Sequence, residues 1–235
     1  MEEYSEELPI WPVQGSAWWF THNPDDRLLV EKPKARHRIF FGSVEMMFNG
    51  SSRDLESMID SSQYHSAEAL KYMIERTRLR RDVMGGLFNW MVSNPWPETS
   101  SCLADYTNHL LPGFWYTKQS LQEVLIVGED YINWNQWFTA DNNSFRERII
   151  TWKITRWRDG VVIGEGKTTI PAQKALKLCR IDSRFDVKEY YIAEWEDERG
   201  VKGINHYLSG TPSYDLDEYR RFYRDLRKKA ALIGY

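Results

Sequence analysis

The sequence predicts a mixed two-part fold: a helix–strand–loop–helix segment of α/β type, then an antiparallel immunoglobulin-like β-sandwich closed by a C-terminal helix. Three patterns predict it. Leu87-Phe88-Asn89-Trp90-Met91-Val92 is a short, nearly unbroken apolar run, as in a strand buried on both faces of a helix-flanked parallel sheet. Farther on, Ile150, Trp152 and Ile154 alternate with Thr151, Lys153 and Thr155, the period of a half-buried strand. Near the end, Leu216, Tyr219, Phe222, Tyr223 and Leu226 make one apolar stripe of a helix, and Asp215 with Glu218 forms a capping-box-like pair at its start.

Taken in order, residues 1–60 read as loop-rich, because Pro9, Pro12, Pro24 and Pro33 with Gly15, Gly42 and Gly50 interrupt any long element. From Tyr64 a helix is expected, with Leu70, Met73, Ile74 and Thr77 on one face. Arg76, Arg78, Arg80 and Arg81 crowd its C-terminal end, where cations suit the helix dipole and a solvated face is expected; Gly85-Gly86 then stops it. The apolar run follows, then the loop Ser93-Asn94-Pro95-Trp96-Pro97, and a second helix from Pro112 carrying Phe114, Trp115 and Leu121. Helix, buried strand, loop and helix make one module of an α/β barrel, and one module cannot close a barrel. The first domain is therefore placed at 1–122, with the helix–strand–loop–helix part at 64–122, and the sandwich with its closing helix at 123–235. Strands are expected at 131–139, 150–155, 161–169, 174–181, 189–196 and 201–208, with hairpin turns at Arg158-Asp159-Gly160 and Glu198-Arg199-Gly200.

Composition narrows the function classes. Lys+Arg 31 against Asp+Glu 34 leaves a formal net charge of −3, which gives no electrostatic reason to expect nucleic acid or an anionic membrane as partner. No apolar run approaches a membrane span. The acidic opening Met1 to Glu7 has no apolar core, so no signal peptide is visible and a cytoplasmic location follows if that N-terminus is genuine. Cys102 and Cys179 stand far apart in no metal-like spacing, and no cofactor is expected. The 11 Trp suit carbohydrate stacking, although sandwiches and barrels also bury Trp as core.

Two stretches carry a family resemblance. Gly86-Leu87-Phe88-Asn89-Trp90-Met91-Val92-Ser93-Asn94-Pro95-Trp96-Pro97, followed by Asp105-Tyr106, resembles the eighth barrel strand of family 2 glycoside hydrolases. There β-mannosidases read roughly G-x-L-x-W-x-L-N-D-x-W-P and exo-β-glucosaminidases G-V-I-Q-W-M-L-N-N-x-W-P. Ile204-Asn205-His206-Tyr207-Leu208-Ser209-Gly210-Thr211-Pro212, then Asp215-Leu216-Asp217-Glu218-Tyr219-Arg220-Arg221, resembles the close of those enzymes' terminal sandwich. Trp11-Pro12, Ala17-Trp18-Trp19 and His22 are a weaker echo of the loop after the seventh barrel strand. Ser93 stands where the family has Asn, and Asn94 matches the glucosaminidase form.

The resemblance implies the last module or modules of a (β/α)8 TIM barrel, retaining β-glycosidase chemistry, and a partner at the non-reducing end of an oligosaccharide. Retaining glycosidases use two carboxyl groups about 5–5.5 Å apart. The family's pair lies after the fourth and seventh strands, upstream of everything matched here, so no catalytic residue is assigned. The chain is then expected to be inactive alone and to need the missing N-terminal barrel portion. Substrate-binding candidates are Trp90 as the floor of the sugar pocket, Asn94 as a hydroxyl ligand or a loop cap, Trp96 as a second wall or a loop anchor, and His22 as a leaving-group contact or a surface histidine. A free carbohydrate-binding module and an inert fragment of a split or truncated gene are the alternative readings.

Overall fold

The computed structural model describes residues 36–51, 53–96, 102–130, 135–182 and 186–235. In chain order the elements are α1 (Arg36–Met47), β1 (Phe48–Asn49), α2 (Leu55–Leu79), α3 (Pro112–Ser120), β2 (Val124–Gly128), β3 (Asn135–Asn142), β4 (Arg148–Arg156), β5 (Val162–Ile170), β6 (Ala175–Asp182), β7 (Glu189–Asp197), β8 (Lys202–Ser209), β9 (Tyr214–Asp215) and α4 (Leu216–Ala231). They fall into two compact units. The first takes in the residues up to Leu70, Phe88–Trp115 and Ser213–Leu216; the second takes in Lys71–Leu87, Tyr116–Pro212 and Asp217–Tyr235.

The second unit is a sandwich of two antiparallel sheets, in the orders β2-β3-β6 and β5-β4-β7-β8. The alternation seen in the sequence sets which side chains point inward. In β4, Ile150, Trp152 and Ile154 are buried while Thr151 and Lys153 are exposed. The core joins them to Val124–Val127, Phe138, Ala140, Ile170, Ile181, Tyr191, Ala193 and Trp195. Each fully buried side chain of this kind stabilises by about 1.5–3 kcal/mol. Gly164 and Gly166 in β5 leave room for the Trp152 ring, whose Cζ3 and Cζ2 would each lie 3.3 Å from an added Cβ.

The outer face of β7 and β8 is aromatic, and the part of α4 from Asp217 covers it. Tyr219, Phe222, Leu226 and Ala230 are fully buried. The Phe222 ring centre lies 4.9 Å from that of Tyr190 and 5.5 Å from those of His206 and Trp157. Tyr116 and Tyr219 share a hydrogen bond of 2.8 Å between their hydroxyls. Arg158 grips both carboxylate oxygens of Glu218 at 2.7 Å, and Lys229 reaches Glu194 at 3.0 Å.

Four expectations need correcting. The run Leu87–Val92 is not a buried strand: it forms no ladder, and Phe88 is 98% exposed. A strand exists only where another chain segment pairs with it, and the described residues supply none. Residues 36–47 are helical, and α2 begins at Leu55, because Asp54 accepts the Ser57 amide at 2.7 Å and serves as N-cap. That helix ends at Leu79, in a turn where the amides of Val83 and Met84 bond the Arg80 carbonyl, before the two glycines are reached. The arginine run is not a solvated helix end either. Arg78 is 9% exposed and donates to Asp141 and to the carbonyls of Ser120 and Gln122, satisfying acceptors left open where α3 runs into β2. Beside it, Arg81 also pairs with Asp141, and Arg76 donates to the Gly128 carbonyl at 2.5 Å.

Candidate functional site

The segment after the Gly85-Gly86 pair lies outside any regular element and is open to solvent. In the first unit Phe88 is 98%, Trp90 90%, Val92 64% and Trp96 54% exposed. The Trp90–Met91 peptide is cis. With so much of its surface open, the large ring of Trp90 presents an apolar face to solvent.

Beyond Val92 the chain turns inward. Asn94 is only 4% exposed, and its Oδ1 has no hydrogen-bond partner among the described residues. Its side chain is turned away from solvent, unlike that of Trp90. A buried acceptor left in this state costs about 1–3 kcal/mol. Trp90 and Trp96 share one loop and both stand open, whereas His22 lies outside the described residues, as do Trp11, Trp18 and Trp19. Sequence reasoning passed over Phe88, which is as open as Trp90; its place two residues earlier in the same run was the signal.

The loop that follows packs against this segment. Cys102, Leu103 and Ala104 are buried, Ser93 bridges Ala104, and the Val92 carbonyl accepts two amides from the loop. The loop's carboxylate, Asp105, is held below its ordinary range: burial raises it, but hydrogen bonds from Thr107 and His109 outweigh that. Its Oδ1 is turned to those groups, at 2.7–2.9 Å, and not toward Trp90. Among the described residues no group of three His, Cys, Asp or Glu side chains could hold a metal ion. No described helix is long and apolar enough to cross a membrane.

Tryptophans of the sandwich are placed differently. Trp152 and Trp195 are 7% and 5% exposed, Trp157 packs on Phe222 and Tyr190, and Lys177 sits over the Trp137 ring at 4.7 Å. The widely exposed tryptophans among the described residues are Trp90 and Trp96.

These features define an antiparallel β-sandwich domain with a C-terminal helix, joined in sequence to an open, aromatic-bearing loop. Two of the solved structures that this chain resembles in fold are glycosidases. The β-D-mannosidase of Dictyoglomus thermophilum matches 76% of this chain with a TM-score of 0.62 at 20% identity. The exo-chitosanase CsxA of Amycolatopsis orientalis, in a complex with PNP-β-D-glucosamine, matches 75% with a TM-score of 0.59 at 17% identity. In both cases the match spans 22% of the other chain, so the present chain corresponds to under a quarter of those enzymes. No family model and no curated protein matches the sequence.

Proposed function

We propose that the chain is the C-terminal part of a retaining β-glycosidase of the family 2 type, acting at the non-reducing end of β-mannoside or β-glucosaminide oligosaccharides. In this reading the sandwich is immunoglobulin-like. The α2–loop–α3 region ends a TIM barrel whose other strands, and both catalytic glutamates, come from the missing N-terminal portion. The observation that carries it is the apolar segment Phe88–Val92: strand-like in sequence, in no sheet among the described residues, and bearing Trp90 open at 90%. Such a segment suits a barrel strand whose neighbours lie elsewhere. The match to two glycosidases over three quarters of the chain supports the same reading.

Within it, Trp90 stacks on the sugar and Trp96 forms a second wall. Asn94 reaches a hydroxyl only if its loop rearranges on assembly, and His22 is a leaving-group contact. A free carbohydrate-binding module is less well supported, since the sandwich's described tryptophans serve as core and packing rather than as a platform.

The test uses the purified chain with p-nitrophenyl β-D-mannoside and β-D-glucosaminide. No turnover is expected, because without the carboxylate pair neither the acid nor the covalent intermediate exists. Methyl glycosides of the same sugars should still perturb Trp90 in NMR spectra. Turnover by the chain alone, or ligand contacts confined to the sandwich, would refute the reading.

A further inference from the structure

We propose that Asp105 is a positioning residue for Trp90, acting through the 102–111 loop that grips the chain two residues beyond the ring. The inference rests on the reading of Trp90 as the sugar-stacking residue and adds what holds it in place.

Among the described residues, Leu87–Met91 take part in no backbone–backbone hydrogen bond, and the Met91 carbonyl accepts only the nearby Asn89 Nδ2 at 3.3 Å. Val92 is the first residue past the ring whose backbone is held by another segment, and it is held twice: its carbonyl accepts the amides of Leu103 at 3.0 Å and Ala104 at 2.9 Å. The next residue, Ser93, bridges Ala104 in parallel. Ala104 in turn bridges Leu110 antiparallel, and the Leu111 amide bonds the Leu103 carbonyl at 2.9 Å. Residues 103–104 are thus the middle row of a three-row patch, with 92–93 on one side and 110–111 on the other.

Asp105 closes the turn that brings the third row back. Its Oδ1 accepts the Thr107 amide at 2.9 Å, the Thr107 hydroxyl at 2.7 Å and the His109 amide at 2.8 Å. Its own amide donates to the His109 carbonyl, and its carbonyl accepts from Asn108, both at 3.0 Å. Asn108 sits at φ 65°, a left-handed conformation that asparagine tolerates better than most residues. Five bonds therefore converge on one residue of a short exposed turn. Remove the carboxylate oxygen and water can satisfy the three donors, but nothing then fixes the turn that presses Leu103 and Ala104 onto the Val92 carbonyl.

The experiment labels the whole chain with 15N-tryptophan and assigns Trp90 by its loss in Trp90→Phe. In Asp105→Ala the heteronuclear NOE of the Trp90 amide should fall toward that of an unstructured segment. Hydrogen exchange at Leu103 and Ala104 should accelerate roughly ten- to a hundredfold, the range expected for losing hydrogen bonds to a charged group. Neither amide touches the carboxylate, so a role confined to the turn would leave both unchanged. Asp105→Asn, which keeps an Oδ1 acceptor, should restore both readouts. Thr107→Val, which removes one donor of three, should move them the same way by less, and it serves if Asp105→Ala fails to fold. Unchanged Trp90 and Leu103 in Asp105→Ala, or an Asp105→Asn variant as disturbed as Asp105→Ala, would overturn the proposal. Titrating methyl β-D-glucosaminide into the same samples reads the sugar contact separately: an unmoved Trp90 indole peak sinks the stacking role without touching the positioning result.

Discussion

Arg78 donates from Nε to Oδ2 of Asp141 at 2.8 Å, and the carboxylate is completely buried. Arg81 pairs with the other oxygen of the same carboxylate. Burial pushes the Asp141 carboxyl upward, and the two guanidiniums pull against it. The arrangement ties the last turn of α2 to β3, and the same Arg78 caps the carbonyls of Ser120 and Gln122.

Breaking one side of this pair should therefore be far worse than removing both. Arg78→Met leaves a buried carboxylate short of a partner and is expected to destabilise the sandwich by about 3–5 kcal/mol. Combining it with Asp141→Leu should recover part of that loss, since no buried charge then remains on β3. Urea unfolding of the single and double variants, compared as a cycle, measures the coupling; strictly additive losses would show that the pair is not the link described.

Glu123 should contribute to acid sensitivity, alongside the likewise depressed Asp197. Arg148, bonded to its Oε1 at 2.6 Å, lowers the Glu123 pKa below its ordinary 4.5, burial opposes the shift, and Arg199 assists it. A carboxyl depressed in the folded state contributes stability above its unfolded pKa and loses it as pH falls through the folded value. Wild-type stability should then drop as pH falls below about 4.5, and Glu123→Gln should flatten that limb while changing little at pH 7 beyond the loss of a half-exposed pair. Urea midpoints from pH 3 to 7 decide it, and identical slopes for the two proteins would count against the assignment.

Two glycines are required by close packing rather than by backbone conformation. A Cβ on Gly128 would strike the Tyr207 ring, and one on Gly203 would strike Trp195 and lie 2.5 Å from Gln122 Oε1. Gly203→Ala is expected to cost about 1–3 kcal/mol, the usual penalty of overpacking. Gly160→Ala meets no atom but sits at φ 71°, so its loss should come from turn strain alone. Comparing the melting temperatures of both variants separates the two causes.

Trp90→Ala should leave stability within about 0.5 kcal/mol of wild type, as for other exposed positions. It should nonetheless abolish any chemical-shift response to β-glycosides. A fall in melting temperature of several degrees would mean the ring is packed in solution.

Much of the sandwich was legible because a half-buried strand writes its burial into a period of two: β4 at Ile150–Ile154 is the clearest case, and the stripe of α4 follows the same logic at helical spacing. Strand β2 was missed because Val124–Gly128 is buried throughout, and five apolar residues without alternation carry no period. The arginines were misread because helix periodicity says nothing of what lies opposite, and Asp141 is 63 residues from Arg78. Leu87–Val92 shows the converse limit. Its composition predicts a strand paired on both sides, and among the described residues it joins no sheet. For the candidate site, the sequence singled out Trp90 and Trp96, which stand open. It did not separate them from Asn94, which is buried, since burial of a polar loop residue depends on packing that the local sequence does not show.

The order of elements also has a temporal side. The cover over the aromatic face of Tyr190 and His206 is the stretch of α4 holding Tyr219, Phe222 and Leu226, and it follows every sandwich strand in the chain. Domains fold as units while the polypeptide emerges from the ribosome, N-terminal parts first. Strands β2–β8 therefore reach the outside before their lid does. During that interval the nascent sheet is sticky on its outer side, and a ribosome stalled after β8 would release a product fit for chaperone capture rather than a soluble domain.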